Sequence, residues 1–194
     1  MDVTQLESDV HRLTESLEQL GEPMVNPVFI VVSGLPGTGK SYFSNKLAEK
    51  LSIIVLESDA LRKILFKPPD YSLAESARLF RAIHLIIERL LKKEIPVILD
   101  ATNLSERHRE RLYNIADRLS VKLILVHVEA PPAVVQERLK AREKGLAQSK
   151  SDAGWDVYQK MQPTAQKIRR NHYVVDTSRD IAPVLDKIAR EVSK

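Results

Sequence analysis

The 194-residue chain has no cysteine, which excludes a disulfide framework and thiolate metal sites and fits a reducing compartment. No apolar run approaches the ~18 residues of a membrane-spanning helix, and the first residues are acidic and polar, unlike a secretory leader. The expectation is a cytoplasmic protein with no membrane association. His11, His84, His108, His127 and His172 form no H-E-x-x-H or comparable spacing, so zinc chemistry is not expected. Positive charge is nearly missing from residues 1–27, where Arg12 stands against Asp2, Glu7, Asp9, Glu15, Glu18 and Glu22. The rest of the chain then carries 29 basic against 20 acidic residues, a balance of +9 that suits anionic ligands. At 43% apolar and 29% charged, the length accommodates one well-buried domain.

Glycine is scarce too, yet three of the six fall between Gly34 and Gly39, directly after the apolar run Val28–Val32. Gly34, Gly39, Lys40 and Ser41 satisfy G-x-x-x-x-G-K-[ST], the P-loop spacing, with the upstream buried strand that motif requires. The loop Gly34, Leu35, Pro36, Gly37, Thr38, Gly39 lets successive backbone N–H groups turn inward around a polyphosphate. The following helix, which carries Lys40, Ser41 and Tyr42, offers its positive end to the anion. Lys40 then reaches the β and γ phosphates of ATP, and the Ser41 hydroxyl ligates Mg²⁺.

Elsewhere the pattern alternates strand and helix. Val3, Leu6, Val10, Leu13, Leu17 and Leu20 form an apolar seam at helical spacing, ended by Gly21 and Pro23. This arm, residues 1–27, reads either as a helix packed on its own domain or as a contact for a partner or a homodimer. Further strands are expected at Ile53–Leu56, Pro96–Asp100, Val121–Val128 and Tyr173–Asp176. Helices are expected over Ser41–Leu51, Asp59–Phe66, Leu73–Lys93, Glu106–Leu119, Ala133–Arg142, Trp155–Ile168 (bent at Pro163) and Ile181–Val192, with a polar loop at Glu143–Ala153. The succession predicts an α/β sandwich of three layers, with a mostly parallel sheet and right-handed crossovers. Asp100, at the carboxyl end of its strand, faces the crevice where such sheets bind ligands. Asp59 reads either as a catalytic acid or as a helix N-cap.

The ordered set GLPGTGKS (34–41), D-x-x-R (Asp59 to Arg62), DATN (100–103) and Arg138/Arg142 followed by SDAGW (151–155) resembles a known family. It is that of the P-loop kinases related to the 5′-hydroxyl polynucleotide kinase domain and the zeta-toxin kinases, an AAA-type ATP-binding domain. The resemblance covers residues 28–193 and implies strand order 2-3-1-4-5 with a helical lid over a kinase domain of residues 28–194. It implies that Asp59 takes the proton of the acceptor hydroxyl, that Arg62 helps bind the acceptor, and that Arg142 is a lid arginine on the transferred phosphate, with Arg138 beside it. Asp100 matches an acid that holds a Mg²⁺-bound water or fixes Arg62. Where that family often has a second acid, this chain has Ala60. Thr177, in Asp176-Thr177-Ser178, falls at the adenine edge, and Trp155 reads as core beneath the lid. The acceptor expected first is a polynucleotide 5′-hydroxyl, its phosphates met by Arg62, Arg78 and Arg81. A small-molecule kinase, a regulatory NTPase binding a partner and a binding module without catalysis stand as alternatives.

Overall fold

The computed structural model describes residues 3–17, 22–146 and 151–193. The predicted end of the first helix at Leu20 and Gly21, and residues 147–150 of the polar loop, lie outside them. In chain order the elements are α1 (Val3–Glu15), β1 (Val28–Ser33), α2 (Lys40–Leu51), β2 (Ile54–Glu57), α3 (Ser58–Leu65), α4 (Leu73–Lys92), β3 (Val97–Asp100), α5 (Glu106–Arg118), β4 (Lys122–Glu129), α6 (Pro132–Glu143), α7 (Trp155–Met161), β5 (Tyr173–Asp176) and α8 (Ala182–Val192). No helix among the described residues is long and apolar enough to cross a membrane.

The five strands are all parallel, in the order β2-β3-β1-β4-β5. Every residue of central β1 is buried, because helices cover both faces of the sheet. The two-residue period of the strand divides them: Phe29 and Val31 join a core with residues of α1, α3, α4 and α5, whereas Val28, Ile30 and Val32 join one with α2 and α8. All five strands point their carboxyl ends to one edge of the sheet, which collects the glycine loop, Glu57, Asp100 and Asp176.

The N-terminal helix lies against α3 and α4 of its own chain. Val10 and Leu13 are buried there, with Leu6 and Leu17 beside them. A carboxylate, Asp9, is buried with them and accepts from Arg78 Nε at 2.6 Å and Nη2 at 2.7 Å. Arg78, expected from the sequence to contact the acceptor, is therefore spent on fixing α1 to α4. The cause is the buried Asp9, whose charge demands a bidentate partner. Arg12 donates to Ile64 O at the end of α3, and Arg89 to Glu7.

The helix expected over Trp155–Ile168 stops at Met161. A 3₁₀ turn at Gln162–Thr164 follows, because Pro163 has no N–H to continue the ladder. Beyond it the chain is extended and pinned by Arg109, which is 1% exposed and donates to the carbonyls of Gln166, Lys167 and Asn103 and to Glu106.

Candidate active site

The glycine loop is shaped by what crowds it. Gly34 has φ 156°, and a Cβ there would lie 2.2 Å from Val128 O, so no other residue fits this approach. Gly39 caps α2 in the left-handed region at φ 92°, and a Cβ would meet Thr177 Oγ1 at 2.9 Å. No side chain caps α2, which leaves its first N–H groups directed at the loop's hollow. The 100–103 turn holds the loop from below: Gly34 N and Ser33 Oγ both donate to Thr102 O, and Asn103 Nδ2 donates to Val32 O. From above, Val135 and Leu139 of α6 press on Gly37 and form a small core with Tyr158, Leu35 and Trp155. Trp155 stacks on Tyr158 with ring centres 4.8 Å apart, beneath α6 as expected from the sequence.

Lys40 points back across the loop and donates to Leu35 O at 3.0 Å. Burial lowers its affinity for the proton, while Asp100, Asp59 and Glu57 are near enough to oppose that shift and Arg142 adds to it. One lysine thus reports the convergence of four more charged groups from β3, α3, β2 and α6. Asp100 is 3% exposed; burial raises its pKa, and the Lys40 charge and the Ser41 hydroxyl hold it down. Its neighbour in register, Glu57 of β2, carries a second carboxylate, toward which Ser41 Oγ points at 3.4 Å.

Two atoms in this cluster lack partners. Asp100 Oδ2 and Arg142 Nη1 are both buried without a hydrogen bond. A buried carboxylate oxygen and a buried guanidinium nitrogen left open are costly, and a cation and an anion are what would satisfy them. Burial also lowers the pKa of Arg142, opposed by the Asp59 charge. Among the described residues no group of three or more His, Cys, Asp or Glu side chains forms a metal cage. A Mg²⁺ here would draw on Ser41 and Asp100 and take the rest of its shell from phosphate and water, its usual habit in such sites.

The other expected residues are placed differently. Arg138 donates to Thr177 Oγ1 at 2.8 Å and Thr177 O at 2.9 Å, while Thr177 Oγ1 donates to Thr38 O at 2.6 Å. Those two residues brace the loop from the β5 side. Arg62 is 6% exposed and donates to Glu75 at 2.5 Å and to Ser76, with Tyr71 stacked on its guanidinium at 5.0 Å. Its charge is thus already matched inside the fold. Tyr42 is 56% exposed at the start of α2, and Arg81 is exposed on α4.

Sequence reasoning missed Glu57, although it obeys the same rule as Asp100, an acid closing an apolar strand. It also missed the clasp in which Asp152 accepts from Lys63 at 2.7 Å and from the Tyr71 hydroxyl at 2.6 Å. No spacing in the sequence relates residues 81 positions apart.

The sheet order, the glycine loop and the strand-end acids define a P-loop nucleotide-binding fold. The AAA domain family (AAA_33) is matched over residues 29–168, and the chain belongs to it. It is 28% identical over 116 residues to an L-seryl-tRNA(Sec) kinase of Methanococcus maripaludis, covering 57% of this chain and 44% of that protein. The chain therefore spans less than half the length of that curated relative. Among solved structures, Kti12 of Chaetomium thermophilum in complex with ADP-AlF3 superposes with TM-score 0.68 at 20% identity, over 84% of this chain and 98% of that one. A gluconokinase from Sinorhizobium meliloti gives TM-score 0.60 at 23% identity, over 86% and 96%. These two likenesses speak for the fold.

Proposed function

We propose that the protein is an ATP-dependent kinase that transfers the γ-phosphate to a hydroxyl, first of all one carried by a nucleic acid, with a polynucleotide 5′-hydroxyl as the leading acceptor. The observation that carries this reading is the pair of open buried atoms, Asp100 Oδ2 and Arg142 Nη1, beside Lys40 and Asp59. A strand-end acid and an arginine near the γ-phosphate also serve switch NTPases; what favours an acceptor hydroxyl is the further carboxylate of Asp59, near enough to Lys40 and Arg142 to act on their charges. The seryl-tRNA kinase relative, whose acceptor is by name borne on a tRNA, favours the nucleic-acid acceptor over a free metabolite. A homodimer through α1 is not part of this reading, since Val10 and Leu13 are already buried within the chain.

The residues divide the work as phosphoryl transfer requires. The loop amides and α2 bind the phosphates, and Lys40 places positive charge at the group in flight. Ser41 and Asp100 would hold Mg²⁺, which when bound offsets phosphate charge and fixes its orientation. Asp59, at the first turn of α3, accepts the proton of the attacking hydroxyl and aligns its oxygen. Arg142 closes over the transferring oxygens, and the Trp155–Tyr158 packing under α6 keeps it aimed there. Arg62, held by Glu75 and Tyr71, sets the position of α3 and thereby of Asp59. The test is to supply labelled ATP with 5′-hydroxyl DNA and RNA oligonucleotides beside a panel of small alcohols. Labelled oligonucleotide is the expected product. Label on a small alcohol alone would replace the acceptor, and ATP turnover unaffected by every acceptor would replace the kinase reading.

A further inference from the structure

The arginines of α4 fall into two groups. Those facing α1 are neutralised: Arg78 by Asp9 and Arg89 by Glu7. Those facing α5 are treated otherwise. Arg81 is exposed and has no ion pair among the described residues, and the same holds for Arg107 and Arg111 on α5. Arg81 and His84 lie three apart on α4, and Arg107, His108 and Arg111 lie three and four apart on α5, so each set lines one helix face. The two faces meet. The charges of Arg111 and His108 reach His84, and those of Arg111 and Arg107 reach His108. Lower down, Glu88 bonds Arg118 across the same groove at 2.7 Å and is shared with Lys92. Of the other acids on α5, Glu106 is taken by Arg109 and Asp117 by Arg170, which leaves Glu110 as the helix's one carboxylate without an ion pair among the described residues, beside three arginines.

We infer that the groove between α4 and α5 is a track for the phosphodiester backbone of a nucleic-acid acceptor, with Arg81, Arg107 and Arg111 as its phosphate contacts. Like charges gathered without counter-ions repel, and an anion supplied from outside removes that cost. Guanidinium groups match phosphate oxygens in geometry as well as charge. The groove also leads to the site. Helix α5 starts three residues after Asn103 of the strand-end turn, and α4 starts two residues after Tyr71, which feels the Asp59 charge. At ~1.5 Å per residue, Arg81 lies about 12 Å along α4 and Arg111 about 7 Å along α5. A small alcohol at Asp59 cannot span that distance, whereas a strand with its terminal hydroxyl there passes along both helices. Burial, then Arg111 and His108, lowers the His84 pKa to about 4, and burial with Arg111 and Arg107 lowers that of His108. A phosphate laid in the groove would offset the part of each shift that comes from the neighbouring arginines.

The inference rests on the nucleic-acid acceptor proposed above, and its test is binding rather than turnover. The full chain with ADP is titrated with a fluorescent 5′-hydroxyl single strand over a range of salt concentrations. Arg107→Gln with Arg111→Gln, and Arg81→Gln separately, are compared with Arg190→Gln on α8, which covers the opposite face of the sheet. Affinity is expected to fall about tenfold in the double variant, and the log–log salt slope to shrink by about 0.7 for each phosphate no longer met by an arginine. Arg190→Gln should leave both unchanged, and ADP affinity should stay constant in all variants. An unaltered slope in the double variant, an equal loss in Arg190→Gln, or displacement of the strand by poly-glutamate at equal charge would each overturn the track. A strand bound through these arginines but never phosphorylated supports the track and removes the reaction. Phosphorylation with unchanged KM in the double variant does the reverse.

Discussion

Lys40, Asp59, Asp100 and Arg142 are the side chains on which the proposed phosphoryl transfer rests. Burial opposes the charge of Lys40, Asp100 and Arg142, and Asp100 Oδ2 and Arg142 Nη1 keep an atom open besides. Asp59→Asn preserves size while removing basicity, and no cap is lost, since Asp59 lies inside the first turn of α3 and the N-cap is Glu57. Single-turnover transfer should fall by ~10²–10⁴-fold with ATP affinity retained; a loss of affinity with intact chemistry would make Asp59 structural. Arg142→Ala should slow the same step with only a modest loss of nucleotide binding, as read by single-turnover kinetics beside a binding isotherm. Gly39→Ala puts a Cβ into the left-handed region and against Thr177 Oγ1, so it should cost about 1–2 kcal/mol of stability. Thermal unfolding would measure that cost, and weaker ATP binding should accompany it. The glycine loop and the acid closing β3 were legible in the sequence because they follow local rules, whereas Asp59 and Arg142 were singled out through the family resemblance. Arg62 and Arg138 were placed by position alone. Their partners, Glu75 and Thr177, lie 13 and 39 residues away, so the sequence could not tell a presented arginine from one already bonded.

At the level of elements, α1 depends on one ion pair as much as on its apolar seam. The Asp9 carboxylate is fully buried, and removing its partner would strand the charge. Arg78→Ala should therefore destabilise the fold by about 3–5 kcal/mol, seen as a lowered Tm, without moving kcat. Burial pushes the Asp9 carboxyl up, but the bonds from Arg78 and Gln5 outweigh it, so its folded pKa lies below 3.8. The stabilisation is then complete above pH 3.8 and disappears as pH falls through the lowered folded value. The Tm gap between Arg78→Ala and the parent chain should be widest near neutrality and narrow in acid; a gap independent of pH would dissociate it from this pair. The heptad-like spacing disclosed the helix and its buried face. It did not disclose Asp9, because an acid among acids on a polar arm carries no sign of burial. Pro163 stood in the sequence as a bend, and its effect is larger: the α-helix ends two residues before it, at Met161, and gives way to a 3₁₀ turn.

Across the whole molecule the acidic arm and the basic domain divide the surface of α4 between them. The arm takes up Arg78 and Arg89 on one side and leaves Arg81 on the other without an ion pair among the described residues, so charge that looks diffuse in composition becomes directional once folded. The alternation of strand and helix made the parallel sheet readable, since crossovers of one hand leave few arrangements, whereas the order 2-3-1-4-5 followed from the family resemblance of the motifs. The sharing of α4 between α1 and α5 was not readable, because it depends on which helix faces meet. If Lys40 and Asp59 serve one phosphoryl-transfer step to an acceptor hydroxyl, that step is best followed in a single turnover, from γ-labelled ATP to a 5′-hydroxyl oligonucleotide, by the parent chain and by Lys40→Ala. The parent chain should transfer the label, and a folded Lys40→Ala variant should be slower by about 10²–10³-fold or more. Equal transfer by the two proteins, or none by either while ATP is consumed, would refute the shared step.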